Sequence, residues 1–253
     1  MKNIFTILIL ACILIFPALF NTGFVLENTV LPSEIIRTQY HQDLQVLDKA
    51  FSNLNDAALA GDIVQLTQAH VQARLAYKKV EYILAYLDPQ GVYDHLNGPP
   101  LPSLERNAPE LIIFEPSGLQ TIDELVFGDD PEAELAAIQE LTLALSAKFQ
   151  PIKLFQLRSP LYDREVFEAM RMQLIRIFSL GLTGFDTPGS LNGIMESKVA
   201  LEAMKVSFQE YEPFVKEALN PVYTAVNQAF ADAIQYLETN TDFNTFDRMA
   251  FLR

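Results

Sequence analysis

Four polar residues of one predicted helix are spaced so that their side chains share a face. They are His70, Arg74, Tyr77 and Glu81, at steps of four, three and four residues, which are close to whole turns of an α-helix. Two interpretations fit this spacing. The face is either solvated and carries weak helix ion pairs, or it forms a polar network directed at another segment across a bundle.

A second polar group lies where a proline-rich loop ends and a short helix is predicted at about 117–127. Pro116 and Ser117 suit a helix start, because proline costs little in the first turn and a serine hydroxyl can cap free amides. The turn that follows carries three polar side chains, with the first sharing a face with the other two: Gln120, Asp123 and Glu124. The expected role of this turn is to tie its helix to the preceding one, with Arg74 and Glu81 as partners.

Carboxylates on two helices can bind a metal ion, and Glu81 and Asp123 are the candidates here. The chain has only three histidines, in three different elements, and none lies at Glu-x-x-His spacing. There is also no Gly-x-Ser-x-Gly, no His-Glu-x-x-His and no phosphate-binding glycine loop. The sequence therefore predicts no catalytic residue and leaves a metal site as an alternative.

Composition narrows the possible partners. The 253 residues are 50% hydrophobic, with a formal net charge of −14 and a pI near 4.6. Such a surface repels phosphate backbones, which excludes nucleic-acid binding, and it suits a basic protein partner. The only cysteine is Cys12, so disulfides, zinc–thiolate sites and covalent c-type haem are excluded from the rest of the chain.

The N-terminus has the pattern of an export signal. An apolar run from Ile4 to Phe20 follows Lys2, and residues 1–23 are predicted to be a signal peptide or an N-terminal membrane anchor. Acylation at Cys12 is an alternative. The expected location is the periplasm or cell envelope, with membrane contact only through this segment, and residues 30–253 form the helical domain.

Apolar periodicity predicts an all-α fold, a helical bundle of about six to eight helices. The predicted helices span 33–60, 62–87, 117–127, 131–149, 163–180, 190–211 and 213–239. Prolines forbid regular structure over a long loop at 88–116, and residues 152–162 are a predicted connection, with a short helical piece inside it as an alternative. No strand pair is expected. The apolar residues of the long loop are expected to pack on the bundle: Leu101, Leu104, Leu111, Ile112, Ile113 and Phe114.

Three motifs resemble the imelysin-like family of exported helical bacterial proteins. They read Arg74-x-x-Tyr77-Lys78-x-x-Glu81, then Asn97-Gly98, then Pro116-x-Gly118-x-Gln120-x-x-Asp123-Glu124. The family pattern Gly-x-His-x-x-Glu has glutamine for histidine and aspartate for glutamate here. Family members are linked to peptidase activity, iron uptake and ligand binding. The resemblance implies a ligand-binding or polar network made of Arg74, Tyr77, Lys78, Glu81, Gly118, Gln120, Asp123 and Glu124.

A closer resemblance covers about residues 40–253. It is to the helical module that precedes the haem domain in some bacterial di-haem cytochrome c peroxidases. The terminal run from Phe243 to Arg248 contributes to it, and so does the most specific motif: Gly184, Phe185, Asp186, Thr187, Pro188 and Gly189. This chain lacks Cys-x-x-Cys-His, so haem c is expected only on a partner.

The resemblance thus implies an exported, non-catalytic docking or accessory module for a di-haem peroxidase domain or a c-type cytochrome. Cytochrome-c peroxidase would be the activity of the family, with no catalytic motif in this chain. A periplasmic protein that binds metal, iron or a small ligand is the alternative. A peptidase is the third possibility.

Overall fold

The computed structural model describes residues 30–104 and 113–253, and the fold is an all-α helical bundle. The helices are α1 (Pro32–Ala60), α2 (Ile63–Leu87), α3 (Leu119–Val126), α4 (Leu135–Arg158), α5 (Asp163–Arg176), α6 (Gly193–Gln209), α7 (Asn220–Thr239) and α8 (Arg248–Phe251). The predicted fold class is confirmed. Within these two described ranges, no helix is long and apolar enough to span a bilayer. The predicted signal or anchor at 1–23, including Cys12, lies outside the described residues.

The first two helices begin and end where their sequence signals indicate. Gly61 ends α1 in the left-handed conformation with φ 72°, which glycine adopts without steric cost. The Asp62 side chain then accepts a hydrogen bond from the Gln65 amide and caps α2. Asp88 and Pro89 follow the end of α2, since proline disfavours helical geometry in the residue before it.

The predicted break at Pro151 is wrong, because α4 continues through this proline to Arg158. Pro151 removes one amide donor, but Phe149 and Ile152 on either side are buried in the core. Tertiary packing therefore outweighs the local cost, and the predicted connection at 152–162 is largely helix. Helix α5 gives way to a π-helical turn at Ile177–Gly181, and Phe178 in this turn is 45% exposed.

The long loop contains short regular pieces that the sequence did not predict. A one-turn helix (Pro89–Gly91) and a π-helical turn (Val92–Leu96) are followed by β1 (Ser103–Leu104) and β2 (Ile113–Phe114), which pair antiparallel. The predicted packing of the loop is wrong for three residues, because Leu101, Leu104 and Ile113 are 62%, 57% and 51% exposed. Leu111 and Ile112 lie outside the described residues.

Helix α2 is the central element of the bundle. It packs against α1 on one side and α6 on the other, and it also contacts α3 and α5. A helix surrounded in this way must bury most of its surface, including its polar residues. This placement brings the predicted polar face of α2 into the interior.

Candidate functional site

The polar face of α2 is buried, so the solvated-face interpretation is wrong. His70, Arg74, Tyr77, Lys78 and Glu81 are each at most 4% exposed. A buried charge must be paired or hydrogen-bonded to be tolerated. The partners of these side chains therefore define a buried charge network.

Arg74 and Glu196 form the most geometrically complete ion pair of this network. The guanidinium Nε and Nη2 donate to the two carboxylate oxygens of Glu196, at 2.5 Å and 2.7 Å, and Nη1 donates to Asn97 Oδ1 at 3.2 Å. Burial alone would lower the pKa of Arg74, but the attraction of Glu196 outweighs it and the pKa is raised. This fork joins α2 to the start of α6.

Lys78 lies between two carboxylates. Its ammonium donates to Glu81 Oε2 at 2.9 Å and, at close range, to Asp186. Burial disfavours the ammonium, yet Asp186 and Glu81 raise the pKa of Lys78 above its usual value. Gln173 Nε2 on α5 donates to Glu81 Oε2 at 2.5 Å, so Glu81 also links α2 to α5.

Asp186 is the point where three parts of the chain meet. Its Oδ1 accepts from Asn97 Nδ2 at 3.1 Å and from Gln120 Nε2 at 2.8 Å. Gln120 Nε2 also donates to the Asn97 carbonyl at 3.2 Å. Burial would raise the pKa of Asp186, but Lys78 and Arg74 hold it below its usual range. The carboxylate is therefore ionised and accepts hydrogen bonds from three side chains.

Asp123 pairs with His70, not with Arg74 or Glu81 as predicted. Its Oδ1 lies 3.1 Å from His70 Nε2, and its Oδ2 accepts from the amides of Gly189 and Ser190 at 2.9 Å each. Burial lowers the pKa of His70 despite this carboxylate. Burial would raise the pKa of Asp123, but the hydrogen bond from His70 lowers it, so the pair is a neutral imidazole donating to a carboxylate.

Two glycines allow the loops to approach this closely. Gly118 has φ 89°, and a Cβ there would lie 2.7 Å from the Leu96 carbonyl oxygen. A Cβ on Gly189 would lie 2.5 Å from the Asp123 carbonyl oxygen. Side chains at either position would push apart the segments that supply the network. Gly118, not Ser117, is the residue preceding α3, and no side chain caps this helix.

The structure brings together most of the predicted site residues and separates two. Glu124 is exposed and lies outside the network, and Tyr77 is buried with its hydroxyl unpaired among the described residues. In the motif from Gly184 to Gly189, Asp186 and Thr187 point inward, whereas Phe185 is exposed. The two backbone amides that hold Asp123 begin where this motif ends.

Glu196 and Gln173 belong to the network but are not among the residues predicted from the sequence. Both occupy positions of an otherwise apolar helical stripe. Glu196 falls three residues after the buried Gly193 and four before Ala200 on α6, and Gln173 falls three residues after Met170 on α5. A polar residue at a core position was the available signal, because such a residue requires a buried partner.

The network is closed to solvent, and its charged groups form ion pairs and hydrogen bonds with one another. It contains four carboxylates (Glu81, Asp123, Asp186, Glu196) and two cations (Arg74, Lys78), so with His70 neutral it carries −2 of the formal −14. The cavity beside Lys78 and Asp186 has a volume of about 10 Å³, room for roughly one water molecule. A substrate has no space here.

The two candidate metal ligands do not meet. Glu81 bonds to Lys78, and Asp123 bonds to His70. Lys78 and His70 are eight residues apart on α2, which is about 12 Å along the helix axis. Within residues 30–104 and 113–253, no group of three or more His, Cys, Asp or Glu side chains is arranged to hold a metal ion. Glu81 and Asp123 therefore do not form one site in this arrangement.

Comparison with known proteins adds no family assignment. No protein-family model matches the chain, and no curated protein matches it. The imelysin-like and peroxidase-module resemblances therefore rest on the motifs quoted from the sequence alone.

Proposed function

We propose that this chain is an exported, non-catalytic helical module that docks a basic haem protein, either a di-haem peroxidase domain or a c-type cytochrome. The single observation that carries the proposal is an acidic segment on the surface. Residues 107–147 contain no lysine or arginine. The segment exposes seven carboxylates, on Glu115, Glu124, Asp129, Asp130, Glu132, Glu134 and Glu140.

A surface of this kind attracts a basic partner. Seven like charges within 26 residues produce a potential that concentrates cations and accelerates encounter with a positively charged protein. Glu134 at the N-cap of α4 favours its helix dipole, and Asp130 accepts a hydrogen bond from the Ala133 amide. These two contacts leave five exposed carboxylates of the segment to be explained, on Glu115, Glu124, Asp129, Glu132 and Glu140.

The closed interior supports the non-catalytic part of the proposal. The charged groups of the buried network bond to one another and face a cavity of water size, so they are poorly placed to act on a substrate. The haem part rests on the resemblance of the motif from Gly184 to Gly189 and of the run from Phe243 to Arg248. Haem c would be carried by the partner, since this chain has one cysteine.

The experiment is titration with a basic c-type cytochrome at low, physiological and high salt. The variant Asp129→Asn, Asp130→Asn, Glu132→Gln should weaken binding by about tenfold or more at low salt, and added salt should weaken binding to the unmodified chain. The matched control neutralises three exposed acids elsewhere, in Asp56→Asn, Glu212→Gln, Glu217→Gln. No binding, or an equal loss in both variants, would contradict the proposal.

The alternative function is that of a periplasmic protein that binds metal or a small ligand. It would require the buried network to open, because Glu81 and Asp123 are held apart by their own partners. Calorimetric titration with iron, copper, zinc and calcium separates the two functions. Heat that disappears in Glu81→Ala would favour the binding protein over the docking module.

A further inference from the structure

A groove runs along the outside of the bundle between α1 and α6. Two adjoining cavities of about 310 Å³ and 460 Å³ form it, and they share Ile36, Gln39, Val206 and Ser207. The α6 wall extends from Val199 to Glu210, which is about 16 Å of helix. Lys79 and Tyr82 of α2 lie at its base, because α2 separates the two walls.

The groove is open, and about half of the residues that line it are apolar. Val30, Ile35 and Val206 line it and are 55%, 39% and 53% exposed. Its base is fixed by the buried Tyr82, whose hydroxyl lies 2.6 Å from Ser207 Oγ on α6. Exposed apolar side chains grouped over a buried base are typical of an interaction site.

Carboxylates surround this apolar strip. Glu34 and Asp43 lie on the α1 side and Glu202 and Glu210 on the α6 side, against a single lysine in the groove, Lys79. Lys198 lies 3.7 Å from Glu202 and offsets part of that charge. The rim therefore stays net negative.

We infer that the α1–α6 groove binds an amphipathic helix of about three turns from a protein partner, with an apolar stripe flanked by lysine or arginine. The length of the groove matches three helical turns, and its apolar floor matches a stripe at i, i+3, i+4 and i+7. The acidic rim selects basic flanks. A second copy of this chain is a poor occupant, because each copy carries −14.

This inference deepens the docking role proposed above and rests on it only for the existence of a protein partner. It concerns a different surface from the acidic segment at 115–140, which lies on α3, α4 and their connections. The two surfaces can therefore be tested separately on the same full-length chain.

The probe is a fluorescent synthetic helix of about 14 residues, with leucines at i, i+3, i+4 and i+7 and lysines on both flanks. Anisotropy should show saturable binding to the full chain, weakened about tenfold or more by Val206→Asp. The matched control is Val64→Asp, an exposed valine on α2 outside the groove, which should leave the affinity unchanged. Glu210→Lys is a second groove variant, and it should weaken binding by opposing the lysine flanks.

Each outcome decides the inference. If the peptide does not bind the full chain, the inference is overturned. This holds even if a second copy or another part of the chain occupies the groove. Equal binding of a scrambled peptide of the same composition, or of both valine variants, also overturns it. Cytochrome binding that persists when the peptide fails leaves the docking function standing without the groove. Peptide binding that survives Asp129→Asn, Asp130→Asn, Glu132→Gln confirms that the groove is separate from the acidic segment.

Discussion

The buried pair of Arg74 and Glu196 gives the sharpest test of the network, because its two members are not equivalent. The network has two more carboxylates than cations. Arg74→Met raises the buried charge from −2 to −3, whereas Glu196→Gln lowers it to −1. Removing the cation should therefore cost more stability than removing the anion.

The magnitude follows from the contacts of each side chain. Breaking a buried ion pair by removing one partner costs about 3–5 kcal/mol. Arg74→Met belongs at the upper end, about 5 kcal/mol, because Asp186 and Asp123 also lose the attraction of the guanidinium. Glu196→Gln belongs near 3 kcal/mol, about the lower end of that range, since its amide oxygen still accepts from Arg74.

Urea unfolding followed by circular dichroism at pH 7 measures both losses. Arg171→Met is the control, since Arg171 Nε donates to Glu168 at 3.1 Å in a partly exposed pair worth only about 0–1 kcal/mol. The reasoning is refuted if Arg74→Met costs no more than Arg171→Met. It is also refuted if Glu196→Gln proves the more destabilising of the two network variants.

Three further predictions concern the imidazole, a loop glycine and a helical proline. Burial lowers the pKa of His70 in the folded chain, so the free energy of unfolding should fall as the pH drops from 7 to 5, below the unfolded pKa near 6.5. Urea melts at each pH should show a smaller pH dependence for His70→Gln. Part of the dependence should remain, because the pKa of His41 is also lowered. Gly184→Ala should lower the free energy of unfolding by about 2 kcal/mol, because φ is 80° and the new Cβ would lie 2.6 Å from Phe243 Cζ. Adding Phe243→Ala should recover the loss that comes from this contact but not the loss that comes from the backbone strain. Pro151→Ala should raise the urea midpoint, with a gain of about 1–2 kcal/mol from the restored helical amide, and a decrease would show that Pro151 packs favourably.

Helix boundaries were predicted correctly where they depend only on residues close by in the sequence. The stripe of α1, its glycine stop and the Asp62 cap lie within a few residues of the feature they determine, and their boundaries agree with prediction to within about one residue. Pro151 shows where this fails. Its local cost is real, but the burial of Phe149 and Ile152 outweighs it, and that burial depends on residues far along the chain.

The sequence predicts which residues form the polar face of α2, but not which side chains they pair with. Helical spacing places Arg74 and Lys78 on neighbouring positions of α2, and nothing local indicates which carboxylates they meet. Arg74 bonds to a residue 122 positions away, and Lys78 to one 108 away. Long-range pairing of this kind depends on how the helices pack, and spacing along one helix carries no information about it.

The same contacts explain why the motif from Gly184 to Gly189 and the terminal run from Phe243 belong together. Asp186 fixes the inner side of the loop through Lys78, while Gly184 leaves room for Phe243 on the outer side. Arg248 Nε then donates to the Leu182 carbonyl at 2.6 Å, and Phe246 is buried beside the tail helix. The loop that carries Asp186 thus contacts the buried network on its inner side and the C-terminal run on its outer side. Because each cation of the interior is already paired with a carboxylate, the proposed docking role rests on exposed surfaces such as the acidic segment and the α1–α6 groove.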